Sequence, residues 1–291
     1  MINKNREYYS KKGKKIYADF LTFASSDTAI AKCTAKHFLQ SFKAKTKKYS
    51  IAEFGVGNGN FAYQFLDYIT KKRADLDISY SLFDFSKQML KDAQKRLLRF
   101  KKLCNLIVFD AERDKLENFK FDFVVMNELI SDLKVELHSK NCLPRDRKKR
   151  EIVLKFLDRL EDNRKIPFNF KACNFLTNIF ANLNSNGFIH VFDYGFYHRS
   201  DILDCDIDIW NSFICREYGQ QITCDVNFPL LTAIMKAQGG ICKIEKQRRF
   251  IERFIGHNVR VKEKKDGLYY IKSYDNIIED DDFYHLQIKK P

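Results

Sequence analysis

The stretch that most restricts the fold of this chain is the glycine-rich segment at residues 51–60, which reads IAEFGVGNGN. A short apolar run leads into glycines at positions 55, 57 and 59, and a segment with helical spacing of apolar residues follows. Glycine adopts backbone conformations that other residues avoid, and its missing Cβ lets a ligand approach the main chain. The segment therefore predicts a buried strand, a ligand-binding turn and a helix.

Runs of β-branched and aromatic residues alternate with helical segments along the chain, as in a parallel sheet covered by helices. The predicted strands lie at residues 49–55, 78–85, 105–110, 121–128 and 188–195, and segments around 241–251, 268–273 and 283–289 complete the sheet. The predicted helices lie at residues 60–73, 86–100, 173–187 and 228–240, with Ser86 as an N-cap. This order predicts an α/β fold of the Rossmann-like type, with a mostly parallel seven-stranded sheet and helices on both faces.

Two segments interrupt the alternation and predict insertions. Residues 137–168 are charged and carry a helical core at 150–162, and residues 196–225 are irregular. Before the first strand, the basic runs KKGKK and KAKTKK mark a separate region. We expect a basic helical cap at 1–48 and one larger domain at 49–291 that contains both insertions.

Composition narrows the class of protein and its compartment. The 291 residues contain no run of 18 apolar residues, so no membrane-spanning helix is expected. The first 20 residues lack the apolar centre of a secretory signal, which favours the cytoplasm. The eight cysteines are at least nine residues apart and the histidines are scattered, so we expect buried, reduced thiols and no metal site.

The chain is strongly basic, with 52 Lys and Arg against 38 Asp and Glu and a net charge of +14. Such a charge favours contact with a polyanion or with the acidic surface of a partner. Basic residues gather further along the chain at 71–73 (KKR) and 145–150 (RDRKKR). These clusters predict either an interaction surface or a solvated lysine-rich face, and charge by itself does not choose between them.

The residues around the glycine turn indicate a cationic, nucleotide-like ligand. The GxGxG spacing differs from the GxGxxG of dinucleotide-binding turns. Glu53 precedes the first glycine at the end of a buried strand, where an acid attracts a cation and not a phosphate. Asp84 and Asp110 end the next two predicted strands. Three successive strands that each end in an acid therefore favour a ligand that carries positive charge.

The segment from Glu53 through Gly55, Gly57 and Gly59 resembles the first motif of class I methyltransferases. The resemblance implies the class I methyltransferase fold for residues 49–291 and S-adenosylmethionine as the cofactor. It further implies that Asp84 accepts hydrogen bonds from both ribose hydroxyls and that Asp110 lies near the adenine amino group. The other residues implied to bind the cofactor are Phe85, Ala111 and Asn127.

Four further segments resemble the MidA-like methyltransferases, a family that includes the mitochondrial complex I assembly factor that methylates a protein arginine. They are FDFSKQMLKDAQKRL at 83–97, MNELISDL at 126–133, GFIHVFDYGF at 187–196 and GQQITCDVNFPLLTAIMKAQGG at 219–240. Asp84 stands where this family usually has a glutamate. The resemblance implies methyl transfer to a protein side chain, with arginine as a candidate.

Three acids are the candidate catalytic residues, because ligands of open α/β sheets bind at the carboxyl ends of the strands. Glu128 and Asp132 follow the fourth predicted strand, and Asp193 ends the fifth. Two carboxylates suit the planar donor fork of a guanidinium. The basic clusters keep an RNA methyltransferase as an alternative. A non-catalytic assembly or binding factor on the same scaffold is the other alternative, because a fold does not guarantee chemistry.

Overall fold

The computed structural model describes residues 29–42, 48–203, 206–218, 221–256, 261–263, 269–271, 278–279 and 283–291. The predicted basic cap at 1–48 therefore lies mostly outside the described residues, together with the runs at 11–15 and 43–47. Of that region, the structure describes one helix, α1 (Ala29–Ser41). The division into a cap and a larger domain stays a prediction.

The described elements alternate along the chain much as the periodicity predicts. The strands are β1 (Tyr49–Phe54), β2 (Ile78–Asp84), β3 (Cys104–Val108), β4 (Phe121–Asn127), β5 (Glu136–His138), β6 (Ile166–Phe168), β7 (Leu183–Phe196), β8 (Cys215–Tyr218), β9 (Gln221–Cys224), β10 (Val226–Asn227), β11 (Ile241–Lys246), β12 (Val261–Glu263), β13 (Tyr269–Ile271), β14 (Ile278–Glu279) and β15 (Phe283–Lys289). The helices after α1 are α2 (Asn60–Lys72), α3 (Lys87–Arg96), α4 (Arg147–Leu157), α5 (Phe170–Ala181), α6 (Arg199–Leu203), α7 (Ile207–Phe213), α8 (Phe228–Ala237) and α9 (Gln247–Ile255).

The main sheet confirms the predicted mostly parallel α/β fold. Seven strands lie in the order β11-β15-β7-β4-β1-β2-β3, and the short β10 pairs with the end of β7. Only β15 runs antiparallel to its neighbours β7 and β11. The carboxyl ends of β1, β2, β3, β4 and β7 therefore meet at one edge of the sheet.

Apolar side chains bury both faces of this sheet. On one face, α1, α2 and α9 contribute Phe38, Phe65 and Phe250 to a cluster that includes Phe123 of β4. On the other face, α5, α8 and α4 contribute side chains such as Phe175, Leu231 and Val153. The alternation of side chains along each strand sends successive residues to the two clusters, and this makes the central strands almost continuously apolar.

Three predicted elements differ from the structure. Residues 247–251 were expected in a strand, but α9 begins at Gln247, because the buried Gln247, Phe250 and Ile251 have helical spacing. The segment 268–273 does not join the main sheet, since β13 pairs with β12 and β14 in a separate three-stranded sheet. The helix expected at 173–187 is α5, which ends at Ala181. By contrast, Ser86 is confirmed as an N-cap and accepts a hydrogen bond from the Met89 amide.

The two predicted insertions contain short ordered elements. In the first, β5 and β6 pair antiparallel and flank α4, whose N-cap Asp146 accepts a hydrogen bond from the Lys149 amide. In the second, β8 and β9 form a hairpin in which Cys215 and Cys224 are opposite each other and joined by a disulfide. The expectation of reduced thiols is therefore wrong for these two cysteines, because the hairpin register brings together residues nine positions apart. Cys142 is free but exposed.

Within the described ranges, none of the helices has both the length and the apolar character required to cross a membrane.

A chain of buried histidines connects α1 to the edge of the sheet. His190 Nδ1 and His285 Nε2 are 2.8 Å apart, and His285 Nδ1 is 3.4 Å from Glu245 Oε1, which Arg253 also contacts. The rings of His37 and His190 lie 4.9 Å apart. Burial is the main cause that lowers the pKa of His37 and of His285 to about 4, and it lowers the pKa of His190 well below its usual value.

These neutral histidines predict a loss of stability in acid. A histidine with a lowered folded pKa contributes full stability above its unfolded pKa of about 6.5 and loses it as the pH falls towards the folded value. At pH 5 the unfolded chain gains about 2 kcal/mol from protonating His190. Urea unfolding followed by fluorescence of Trp210 should show that His190→Phe loses about 2 kcal/mol less than the wild type between pH 7 and pH 5. Equal losses in both proteins would contradict this assignment.

Candidate cofactor and acceptor site

The glycine turn after β1 is built from three left-handed residues. Gly55, Gly57 and Gly59 have φ values of 74°, 54° and 74°, which L side chains rarely adopt. A Cβ on Gly59 would lie 2.9 Å from the backbone of Ala93 in α3, and one on Gly55 would lie 3.2 Å from the Leu129 side chain. The first and third glycines therefore also permit close packing within the protein, which the prediction of a ligand-binding turn did not include.

Asp84 ties this turn to the end of β2. Its Oδ1 accepts a hydrogen bond from the Ser86 amide at 2.8 Å, and its Oδ2 accepts one from the Gly57 amide at 3.4 Å. Burial raises the pKa of Asp84 to about 6, against the opposing effect of the amides of Ser86, Gly57 and Val56. The carboxylate is therefore mostly ionised at neutral pH and lies beside the glycines, as the predicted role in ribose binding requires.

Glu53 is a buried acid beneath the same turn. It is 4% exposed, and its Oε2 accepts a hydrogen bond from the Tyr80 hydroxyl at 2.7 Å. Burial raises its pKa to about 8, and the negative charge of Asp84 acts in the same direction. Among the residues that the structure describes, no Lys or Arg forms an ion pair with it. A ligand with an ammonium or sulfonium group would supply the missing charge, so the site fits the implied cofactor.

The acid after β3 occupies a turn of its own. Asp110 Oδ1 accepts a hydrogen bond from the Glu112 amide at 3.0 Å, and the Asp110 amide donates to Asp114 Oδ2 at 2.8 Å. The turn adjoins Asp84, because the Phe109 amide donates to the Asp84 carbonyl at 3.0 Å. Asp110 and Ala111 are therefore near the cofactor region, and their contact with adenine stays a prediction.

Asn127 and Glu128 leave β4 at the same edge. Glu128 has a φ of 51°, and its amide donates to the Phe192 carbonyl at 2.8 Å, so β7 holds this unusual conformation. Asn127 Nδ2 donates to Glu128 Oε1 at 3.2 Å, while Asn127 Oδ1 is buried and accepts no hydrogen bond from the described residues. A buried acceptor without a donor is costly, which suits a ligand that donates a hydrogen bond there.

The other two candidate catalytic acids differ in accessibility. Asp193 is 0% exposed, and it accepts hydrogen bonds from the amides of Ser131 and Tyr194, both at 3.0 Å. Burial raises its pKa to about 7, and the charge of the half-buried Asp132 adds to the rise. This geometry favours a role for Asp193 in holding the 3₁₀ turn Ile130–Asp132 against β7. Glu128 and Asp132 are then the acids placed to reach an acceptor.

The sequence analysis missed Tyr80, which contacts the predicted cofactor acid. A signal was present, because a tyrosine inside a buried strand needs a partner for its hydroxyl. Choosing that partner required the register of β1 and β2, in which Tyr80 pairs with Ile51.

The described part of the chain contains no group of three or more His, Cys, Asp or Glu side chains placed to hold a metal ion.

Comparison with known proteins agrees with this geometry. Residues 52–161, which include the glycine turn and the acids after β2, β3 and β4, match a family described as "Methyltransferase domain". No curated protein matches the sequence.

Similar folds occur among solved structures. A Burkholderia thailandensis protein solved with S-adenosyl-homocysteine is similar with a TM-score of 0.64 and 15% identity, over 93% of this chain and 79% of that one. A native structure of a superfamily protein from the same organism has a TM-score of 0.63 and 15% identity, over 94% and 82%. DhpI in complex with SAM and HEP has a TM-score of 0.52 and 13% identity, over 99% and 97%. Residues 52–161 are therefore a methyltransferase domain, set in a sheet with the fold of proteins solved with S-adenosylmethionine or its demethylated product.

Proposed function

We propose that this chain is a cytoplasmic, MidA-like methyltransferase that uses S-adenosylmethionine to methylate a protein side chain, with arginine as the favoured acceptor. The observation that carries the proposal is the position of Glu128. It follows β4 in a left-handed conformation, and the next residue, Leu129, packs against the first glycine of the cofactor turn. An acid is thereby held beside the place where the transferable methyl group would lie.

The residues around the turn would hold the cofactor by complementary groups. Glu53 and Asn127 Oδ1 supply acceptors for a cationic amino acid moiety, and Asp84 supplies an ionised acceptor for ribose hydroxyls. When bound, S-adenosylmethionine supplies an electrophilic methyl group on a sulfonium. The task of the protein is to position the acceptor in line with that group and to exclude competing geometries.

Two acids with different neighbours favour a guanidinium acceptor. Glu128 and Asp132 are both half-buried on the segment that follows β4, and Asp193 holds the turn that carries Asp132. Paired carboxylates bind the fixed donor fork of arginine and would leave one nitrogen directed at the methyl group. The same acids would disfavour a phosphate-rich acceptor at this position.

RNA is the second candidate acceptor, and the exposed face of α4 favours it. Arg147, Lys148 and Arg150 are exposed at the start of this helix. Lys149 faces inward, where its Nζ is 2.5 Å from Glu136 Oε1 and 4.9 Å from the centre of the Phe170 ring. The basic face therefore consists of Arg147, Lys148 and Arg150, and Lys149 belongs to the packing of the first insertion.

A labelling experiment separates the candidate functions. Purified protein is incubated with cell lysate and S-adenosylmethionine that carries a labelled methyl group, and samples are then treated with protease or with ribonuclease. We expect label in a protein fraction that protease removes and ribonuclease leaves intact. Label that only ribonuclease removes would support the RNA alternative. Binding of the cofactor without any transfer of label would support a non-catalytic binding factor.

Neutralising the basic face should separate the two kinds of acceptor further. If the acceptor is a protein, changing Arg147, Lys148 and Arg150 to glutamine should slow its capture several-fold at low salt, because charge steering acts mainly on association. The effect should fade at physiological salt, where screening acts within about 8 Å. If the acceptor is RNA, affinity itself should fall and its salt dependence should flatten by about one phosphate contact per charge.

The control variant changes three exposed lysines, Lys72, Lys101 and Lys102, to glutamine. It removes the same charge from the end of α2 and the turn before β3, at the amino ends of the strands. It should leave capture of the acceptor nearly unchanged. Equal effects of the two triple variants would mean that net charge acts without a defined basic face.

A further inference from the structure

Tyr80 lies inside the sheet, directly below the acid of the glycine turn. Its side chain is 0% exposed, and its hydroxyl donates to Glu53 Oε2 at 2.7 Å. Within the described chain, this phenol is the hydrogen-bond donor to the Glu53 side chain, and no basic side chain takes its place.

The register of the two strands sets the direction of this contact. In the parallel pair, Tyr80 is opposite Ile51, and Glu53 is opposite Leu82. The Tyr80 ring packs against Phe65 of α2, with 5.7 Å between the ring centres. Tyr80 therefore supports Glu53 from the buried middle of the sheet, and a ligand at the glycine turn would approach from the carboxyl ends of the strands.

The charges around the pair make this support consequential. Burial raises the pKa of Glu53 to about 8, Asp84 raises it further, and the bond from Tyr80 opposes both effects. The pKa of Tyr80 itself is raised well above its usual value by burial and by Glu53. Tyr80 thus keeps its proton and stays a donor while Glu53 changes its charge.

We infer that Tyr80 is a positioning residue that holds Glu53 ionised and correctly oriented to bind the ammonium group of the cofactor. This inference rests on the proposed function, since it names the part of the cofactor that Glu53 recognises. When an ammonium-bearing nucleoside binds, the Glu53 carboxyl releases its proton to solvent and the Tyr80 hydroxyl keeps its own. The ligand class is a nucleoside that carries a cationic amino acid group.

The test compares two ligands that share adenine and ribose. S-adenosylhomocysteine carries the ammonium group, and adenosine lacks it. By calorimetry at pH 7, Tyr80→Phe should weaken S-adenosylhomocysteine about 10-fold to 100-fold, as expected for losing a hydrogen bond to a charged group, and change adenosine less than twofold. The loss should narrow at pH 8.5, because a higher pH ionises Glu53 without help from Tyr80.

A second background separates this role from a structural one. On Glu53→Gln, the added Tyr80→Phe change should have no further effect on S-adenosylhomocysteine, because Tyr80 acts through Glu53. Equal losses for both ligands, or a loss that does not vary with pH, would overturn the inference while leaving the proposed function intact. If the wild-type protein binds neither ligand, the proposed function fails and this inference fails with it.

Discussion

Asp84→Ala should weaken binding of S-adenosylhomocysteine about 100-fold or more at pH 7. Two hydrogen bonds to an ionised carboxylate contribute roughly 1.5 to 3 kcal/mol each, and a tenfold change in affinity corresponds to about 1.4 kcal/mol. The substitution also removes the acceptor of the Gly57 and Ser86 amides, so the turn loses its tie to β2. Calorimetry with the purified protein measures the effect, and adenosine should lose affinity in parallel because it carries the same ribose.

The pH dependence identifies the group. Because burial raises the pKa of Asp84 to about 6, the affinity of the wild type should fall about tenfold for each pH unit below 6. Asp84→Asn should bind more weakly at pH 7 and lack this dependence. Asp84→Glu keeps the carboxylate and should bind more tightly than Asp84→Ala. Unchanged affinity in Asp84→Ala would refute the assignment of the ribose.

Glu128→Gln should reduce methyl transfer about 100-fold or more while S-adenosylhomocysteine affinity changes only a few-fold. Removing a group that interacts mainly with the reacting partners lowers the rate without a matching loss of cofactor binding. Glutamine keeps the size of the side chain and can still accept the hydrogen bond from Asn127 Nδ2. The measurement combines transfer of label to lysate protein with calorimetry on the same preparation.

A matched control makes the same chemical change on an exposed acid. Glu117 is exposed in the turn before β4, and Glu117→Gln should leave both transfer and affinity unchanged. A parallel loss of transfer and affinity in Glu128→Gln would instead mean that Glu128 contacts the cofactor or stabilises its loop. Transfer at the wild-type rate would remove Glu128 from the acceptor site.

Local patterns in the sequence determined the layout of the fold. The glycines at 55, 57 and 59 predicted the turn after β1, and apolar spacing predicted most strands and helices of the main sheet. These features depend on neighbours a few residues apart, so periodicity and turn chemistry reveal them. Acids at the ends of successive strands also predicted where a site would form, because parallel strands end at one edge.

Only the tertiary structure decided how those residues act. Gly59 packs against Ala93, Glu53 binds Tyr80, and Asp193 is sealed behind Ser131, and each contact joins segments far apart in the chain. The segment at 247–251 became a helix, and 269–271 joined a separate sheet. The accessibility and charge of an acid depend on what covers it, so its role follows from long-range packing and not from its position in the sequence.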